Sequence, residues 1–483
     1  MSDPIKYNSS NKYYASEILL HDGWQQDKTL TVKNGEITQI SDGKEPDAER
    51  IRGPVIPGMV NLHSHAFQKA FVGLTEFQAN KDDSFWSWRD SMYRLLQCLT
   101  PEDMNTIAKY VYQEMLLQGY TSCAEFHYLH HQSNGKAYDD PAINSKMVIE
   151  AAQSVGIALC HCPVFYHYSG FGEQPATDGQ RPFLHSVSQF QQLLEQLQQY
   201  VSPDSINKSS NNKNSSNTDL QKNSSLITLG IAPHSLRAVS KAQMDELVTW
   251  WQGKGPVHIH IAEQLKEVND SLDFYGQRPV EWLLNNQPVD HHWCLVHATH
   301  LTSDETSAMA RSRAIAGICP QTEGNLGDGI FNADEYFQHK GQFGIGSDSH
   351  IAISPWQELR MFEYSQRLKH HRRNFLCNDD LPHVGRFLWQ SAAKQGANVI
   401  NRNTGELAVG KKADWVVLDQ SIAELNSVSG DFLLDAAIFA ANENPVKDVM
   451  VNGQWRVQNR QLISSDNNKQ NYLAFLKQKV NRP

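Results

Sequence analysis

Residues 57–65 read Pro57-Gly58-Met59-Val60-Asn61-Leu62-His63-Ser64-His65, an apolar run that ends in two histidines separated by one residue. Residues i and i+2 of a strand face the same side, so the two imidazoles point together. At the C-terminal end of a barrel strand that side is the mouth, where active sites are built. Two polar residues meeting solvent at a strand end would look the same, so the pair needs support from elsewhere in the chain.

Outward from this stretch, short apolar runs recur at 55–63, 121–128, 158–165, 227–232, 257–262, 293–297, 314–319 and 343–347, with helical stretches such as 102–117 between them. Strands alternating with helices imply parallel βα units, and eight in succession match a barrel. Both ends of the chain instead carry strand–turn units, at 13–20 and 29–33 (with a turn at Asn34-Gly35) and at 412–419 and 446–453. The predicted fold is α/β: a (β/α)8 TIM-like barrel over 56–400, with a small β-sandwich domain formed from both termini, 1–55 and 401–483, the latter including a tail. Residues 202–225, rich in Ser, Asn and Lys, have almost nothing to bury. They are expected to form a disordered surface loop and are assigned no chemistry.

Composition removes several classes of function. The 483 residues hold 43 Lys+Arg against 53 Asp+Glu, a formal charge of −10, with no basic block. That argues against a nucleic-acid partner, which needs a cationic face. No run of 18 apolar residues is present, so no membrane span is expected. The first twenty residues lack the basic and apolar regions of a secretory signal. Seven cysteines in so long a chain do not suggest disulfide staples, and a reducing cytoplasm is the expected compartment.

The 21 histidines are the compositional excess, and their placement carries the functional reading. The fifth run closes as His258-Ile259-His260-Ile261-Ala262-Glu263, the sixth at His297 and the eighth as Gly346-Ser347-Asp348. Four separate strands ending in His or Asp are hard to assign to solvation. Imidazole nitrogens and a carboxylate are what a borderline-soft divalent ion accepts. A two-metal site would need a bridging lysine or acid on another strand, and the fourth run, 226–234, has neither. The expected cofactor is therefore one Zn²⁺ per subunit on His63, His65, His260 and Asp348, with water in the open position; iron suits the same ligands. Glu263 is either a helix first-turn carboxylate or the general acid/base that moves a proton from metal-bound water to a leaving nitrogen. His297 fits better as an orienter of that water than as a fourth imidazole ligand. Cys160-His161-Cys162, His127, His130, His131, His291 and His292 are read as buried or ordinary polar positions, and His258, about 6.6 Å deeper than His260, as a hydrogen-bonded core or outer-shell residue.

Pro57 to His65, His260-x-x-Glu263, His297 and Gly346-Ser347-Asp348 together resemble the amidohydrolase superfamily, as does the late stretch Gly405-Glu406-Leu407-Ala408-Val409-Gly410-Lys411-Lys412-Ala413-Asp414. The set without a fourth-strand lysine is similar to the mononuclear aminohydrolases, which attack C=N carbons and expel ammonia. More narrowly, residues 61–68, Gly73-Leu74-Thr75-Glu76, Phe85-Trp86-Ser87-Trp88-Arg89 and Ala124-Glu125-Phe126-His127-Tyr128 resemble the branch that deiminates N-formimidoyl-L-glutamate in histidine breakdown. The likeness implies that small molecule as substrate, N-formyl-L-glutamate and ammonia as products, and catalytic roles for Glu263, His297 and Asp348. A dicarboxylate calls for cationic forks, and Arg89 and Arg237 are the expected pair. Gln68, Tyr128 and His234 are similar to family positions that line the pocket, and the Trp-rich stretch at 85–88 either packs or covers the site. A homodimer is expected. The rival activity is deamination of a purine base or nucleoside derivative (guanine or adenosine deaminase-like), which the paired arginines disfavour; a third reading is a non-catalytic barrel that binds partners.

Overall fold

The computed structural model describes residues 10–74, 76, 85–202, 226–464 and 467–480, so the loop expected at 202–225 lies outside the described residues from 203 on. The chain opens with β1 (Asn11–Leu20), β2 (Gly23–Lys33), β3 (Glu36–Asp42), β4 (Glu49–Arg50) and β5 (Val55–Pro57). The central strands are β6 (Met59–Ser64), β7 (Tyr120–His127), β8 (Ala158–Phe165), β9 (Ile227–Leu229), β10 (Ala232–Pro233), β11 (Val257–Ile261), β12 (Trp293–His297), β13 (Ile315–Ile318) and β14 (Gln342–Ile345). The chain closes with β15 (Trp415–Leu418), β16 (Val446–Val451), β17 (Gln454–Gln458) and β18 (Gln461–Leu462).

The central strands pair in parallel in the order β10-β8-β7-β6-β14-β13-β12-β11, with β9 beside β8. A bridge between Ile231 and Val257, carried by Ile231 N–H to Pro256 O at 3.0 Å and His258 N–H to Ile231 O at 2.9 Å, closes the barrel. Every residue of β7, β8, β11 and β12 is buried, as expected for strands covered on both faces. Several of the helices between them open with capping boxes. Pro101–Leu117 starts at Thr100, whose hydroxyl accepts from Asp103 N–H while the Asp103 carboxylate accepts from Thr100 N–H, and it buries Met104, Ile107, Ala108, Val111 and Met115 against the barrel.

Two expected strands are each split, both at glycine. The run 55–63 serves two sheets: β5 pairs with β1 and β15, and only β6 enters the barrel. The break falls at Gly58, where a Cβ would stand 2.3 Å from the Thr121 side chain. The fourth run breaks at Gly230-Ile231, where a Cβ on Gly230 would lie 2.7 Å from Cys162 Sγ.

Both termini contribute to one continuous nine-stranded sheet, β18-β17-β16-β15-β5-β1-β2-β3 with β4 on β1. It folds back on itself: the turn at Gly35 lies against Asn452, and Tyr13, Trp415 and Trp455 meet edge to face within a separate core. The chain after 401 is not confined to this sheet. Asp431–Phe439 and Asn468–Lys479 return to the main core, and Tyr472 stacks on Tyr110 at 4.2 Å. Among the described residues no helix is long and apolar enough to cross a membrane.

Candidate active site

The C-terminal ends of β6, β11, β12 and β14 bring their polar residues to one point. His63 Nε2 stands 3.1 Å from His65 Nε2 and 3.1 Å from His260 Nε2. Asp348 Oδ1 is 3.6 Å from His63 Nε2 and 3.4 Å from His65 Nε2. Ligands about 2.0–2.1 Å from a tetrahedral ion lie roughly 3.3 Å apart, so the spacing fits a first coordination shell. Protonation agrees. Burial, the largest influence, lowers His63 to about 3 and holds His65 and His260 below their ordinary range, so all three offer lone pairs. Burial pushes the Asp348 carboxyl up, but His63, His297 and His65 outweigh it and hold it below the usual range. His65 Nδ1 donates to Phe126 O at 2.8 Å, which leaves Nε2 as the free acceptor. This donor set fits a divalent metal ion.

The backbone at these strand ends is strained and tied down. Ala262, His297 and Asp348 have φ of 51°, 67° and 46°, a region that non-glycine residues occupy mainly where the surroundings compel it. Asp348 N–H donates to His63 O at 3.0 Å and His65 N–H to Asp348 O at 3.1 Å, locking the two ligand-bearing turns together.

Glu263 and His297 stand beside this cluster. His297 Nε2 is 3.6 Å from Glu263 Oε1 and 3.7 Å from Asp348 Oδ2, and Nδ1 is 3.3 Å from Glu323 Oε1. Burial raises Glu263 to about 7, a poise that lets it both take and give a proton near neutrality. Burial disfavours charge on His297, but Glu263, Glu323 and Asp348 outweigh it and raise the ring to about 10.

One pocket joins these groups to the expected substrate residues: Gln68, Arg89, Tyr128, His234 and Arg237 all line it, with His65, His260, Glu263, His297 and Asp348. Gln68 Nε2 donates to Tyr128 OH at 2.9 Å. Arg89 lies over the Tyr93 ring at 5.6 Å, and Trp88 packs on Phe71. Arg237 is buried; burial opposes its charge, and Glu267 and Glu263 sustain it. Of the Trp-rich stretch, the side chains of Phe85 and Trp86 lie outside the described residues, whereas Trp88 lines the pocket.

The positions read as bystanders lie apart from the cluster. His258 Nε2 donates to Val399 O at 2.7 Å, and Cys160, His161 and Cys162 are buried in β8. Other supports were not legible in advance. Asn61 Nδ2 donates to Ser347 Oγ at 2.7 Å, Ser347 Oγ meets His350 Nδ1 at 3.0 Å, His350 Nε2 meets Ser64 Oγ at 3.2 Å, and Ser64 Oγ donates to Glu125 Oε2 at 2.6 Å. This chain runs beneath the ligand turns and fixes the residues between the ligands. Its one visible signal is Glu125, an acid in the middle of β7, every residue of which is buried.

Residues 55–456 match the model of the amidohydrolase family. A formimidoylglutamate deiminase of Pseudomonas aeruginosa is 44% identical over 446 residues, which cover 92% of this chain and 94% of that one. Among solved structures, an amidohydrolase from Brucella melitensis superposes with a TM-score of 0.88 at 39% identity, covering 98% of this chain and 100% of the other. An adenosine deaminase from Xanthomonas campestris, solved with bound zinc, shares the fold with a TM-score of 0.75 at 20% identity and 97% coverage of each chain. The fold and site define a metal-dependent barrel hydrolase, and the chain belongs to the amidohydrolase family. It is most usefully set beside the Pseudomonas deiminase, to which it is similar along nearly its whole length.

Proposed function

We propose that this chain is an enzyme that hydrolyses the C=N bond of N-formimidoyl-L-glutamate, yielding N-formyl-L-glutamate and ammonia, a step of histidine degradation. One observation carries the reading: a single pocket holds two guanidinium groups, Arg89 and Arg237, together with Glu263 and the metal donors His65, His260 and Asp348. The substrate has two carboxylates and one amidine, and the pocket offers a partner to each. The 44% identity to the Pseudomonas deiminase supports the same substrate.

His63, His65, His260 and Asp348 would hold one Zn²⁺ per subunit, although iron suits the same donors. The bound ion supplies Lewis acidity, lowering the pKa of water from about 15.7 toward 7. Glu263 takes a proton from the attacking water as its oxygen adds to the formimidoyl carbon. His297, with Nε2 3.7 Å from Asp348 Oδ2 and 3.6 Å from Glu263 Oε1, orients the attacking water. Glu263 then returns that proton to the terminal nitrogen and carries the proton of the added hydroxyl to the same nitrogen as the C–N bond breaks, so that ammonia leaves and a formyl C=O remains. Gln68, Tyr128 and His234 orient the formimidoyl end, and the arginines anchor the carboxylates. A site in the cytoplasm accords with such a reaction.

The test is ammonia release from N-formimidoyl-L-glutamate, guanine and adenosine derivatives, assayed side by side on the metal-replete protein. The dicarboxylate amidine should be turned over at least 100-fold more efficiently than either purine. Preference for a purine would overturn the substrate.

A further inference from the structure

The seventh barrel strand, β13, ends without a histidine or acid, yet the segment that follows it reaches every acid–base group of the site. That segment is Cys319, the helix Pro320–Leu326, Gly327 and Asp328. Glu323 is buried; its Oε1 accepts from its own Cys319 N–H at 2.8 Å and faces His297 Nδ1 at 3.3 Å. Thr322 Oγ1 meets Ser349 Oγ at 3.0 Å and accepts from Ser349 N–H at 3.4 Å, next to Asp348. Asp328, also buried, accepts from the side-chain amide of Gln264, the residue after Glu263. Asp328 N–H in turn donates to Glu323 O at 2.9 Å, so the two carboxylates are set by one turn of backbone. Donor atoms of Glu263, His297 and Asp328 all lie within 4.8 Å of one another.

We propose that residues 319–328 form a positioning bracket for proton transfer, in which Glu323 fixes the ring orientation of His297 and Asp328 fixes the turn that carries Glu263. Glu323 and Asp328 do not line the pocket; Thr322 and Leu326 of the same segment do. The two acids therefore act through other residues and are positioning residues. An imidazole whose Nδ1–H is held by a carboxylate presents Nε2 to the reaction in one orientation, and losing that hold costs turnover more than binding. Asp328 acts as an acceptor for Gln264, so an asparagine, which keeps a carbonyl oxygen there, can replace it. The proposal rests on the acid–base roles given above to Glu263 and His297.

The test uses the full-length, metal-loaded protein, with metal content measured for each variant. Glu323→Gln should lower kcat at least 10-fold with KM within threefold and metal unchanged. In a His297→Gln background the same change should have almost no further effect, because its only route of action is already gone. Asp328→Ala should lower kcat at least fivefold, and Asp328→Asn should restore it to within threefold of the parent. The bracket is refuted if Glu323→Gln leaves kcat within threefold of the parent, if its loss adds in full to that of His297→Gln, if it follows loss of metal or of fold, or if Asp328→Asn falls as far as Asp328→Ala. Failure of the parent protein to release ammonia from N-formimidoyl-L-glutamate would refute the substrate instead, and the same ratios would then be read on the amidine or aminopurine it does hydrolyse.

Discussion

His63, His65 and His260 at the barrel mouth, and His127, His130, His131, His161 and His185 beside β7 and β8, are all buried, and burial keeps every one of them below the ordinary imidazole range. The second group is nearly as dense as the first, with His130 and His185 rings 4.5 Å apart and His127 and His161 rings 5.2 Å apart. It lies on the other side of the wall: Phe126 packs on His63 and His260, so alternation turns His127 away from them. Its nitrogens are partly committed to the backbone, His130 to Val164 O at 2.9 Å and His131 to Leu184 O at 2.8 Å. Among the described residues no three of its donors meet at one point, and no carboxylate joins them. Neutral burial is what an interior does to an imidazole with no carboxylate beside it. A metal centre needs convergence of lone pairs and a negative ligand as well.

The largest effect should come from exchanging one residue in each group. His260→Ala should abolish both stoichiometric metal and ammonia release, whereas His161→Ala should keep the metal and most of the activity. Elemental analysis of the two purified proteins reads the contrast directly. Equal loss of metal from both would erase the distinction between the groups.

Within the mouth, substitutions should separate chemistry from binding. Glu263→Gln should retain metal and lose about 10²- to 10⁴-fold in kcat, the range of a lost general acid/base. Arg237→Met and Arg89→Met should act mainly on recognition. A charge-assisted hydrogen bond is worth about 1.5–3 kcal/mol, so each change should lower kcat/KM by roughly 10- to 100-fold. Unchanged kcat/KM in both arginine variants would remove the dicarboxylate from the argument.

The same contrast explains what could be read in advance. Polar residues gathered at the barrel mouth were legible because a strand leaves two signs in sequence, an apolar body and a polar end. His63, His65, His260, His297 and Asp348 stand at or just beyond such ends. The barrel was legible for the same reason, since its strands are buried on both faces and stand out as uniform runs. The breaks at Gly58 and Gly230 were not, because they are set by Thr121 and Cys162, far away in sequence. Ser64 and Ser347 looked like spacers inside the motifs, and only the fold shows them wired through His350 to Glu125. Glu323 and Asp328 follow a strand with no polar end, and nothing local ties them to His297 or Gln264. Pairings made through space leave no periodicity to read.

The smallest expected effect concerns stability rather than rate, and it isolates the second histidine group. Burial, with no other influence resolved, lowers His161 to about 3. An unfolded histidine titrates near 6.5, so between about pH 6.5 and 3 the unfolded chain binds a proton at this residue that the folded chain does not. Stability must therefore fall as pH drops through that window, with a slope of up to about 1.4 kcal/mol per pH unit from this residue alone. His161→Gln removes the titrating group, whatever it does to stability at neutral pH. Urea midpoints measured from pH 7.5 to 5 should decline less steeply for the variant than for the parent protein. Parallel declines would mean that His161 takes up its proton in the folded state, and that the wall behind β8 is open enough to solvate an imidazolium.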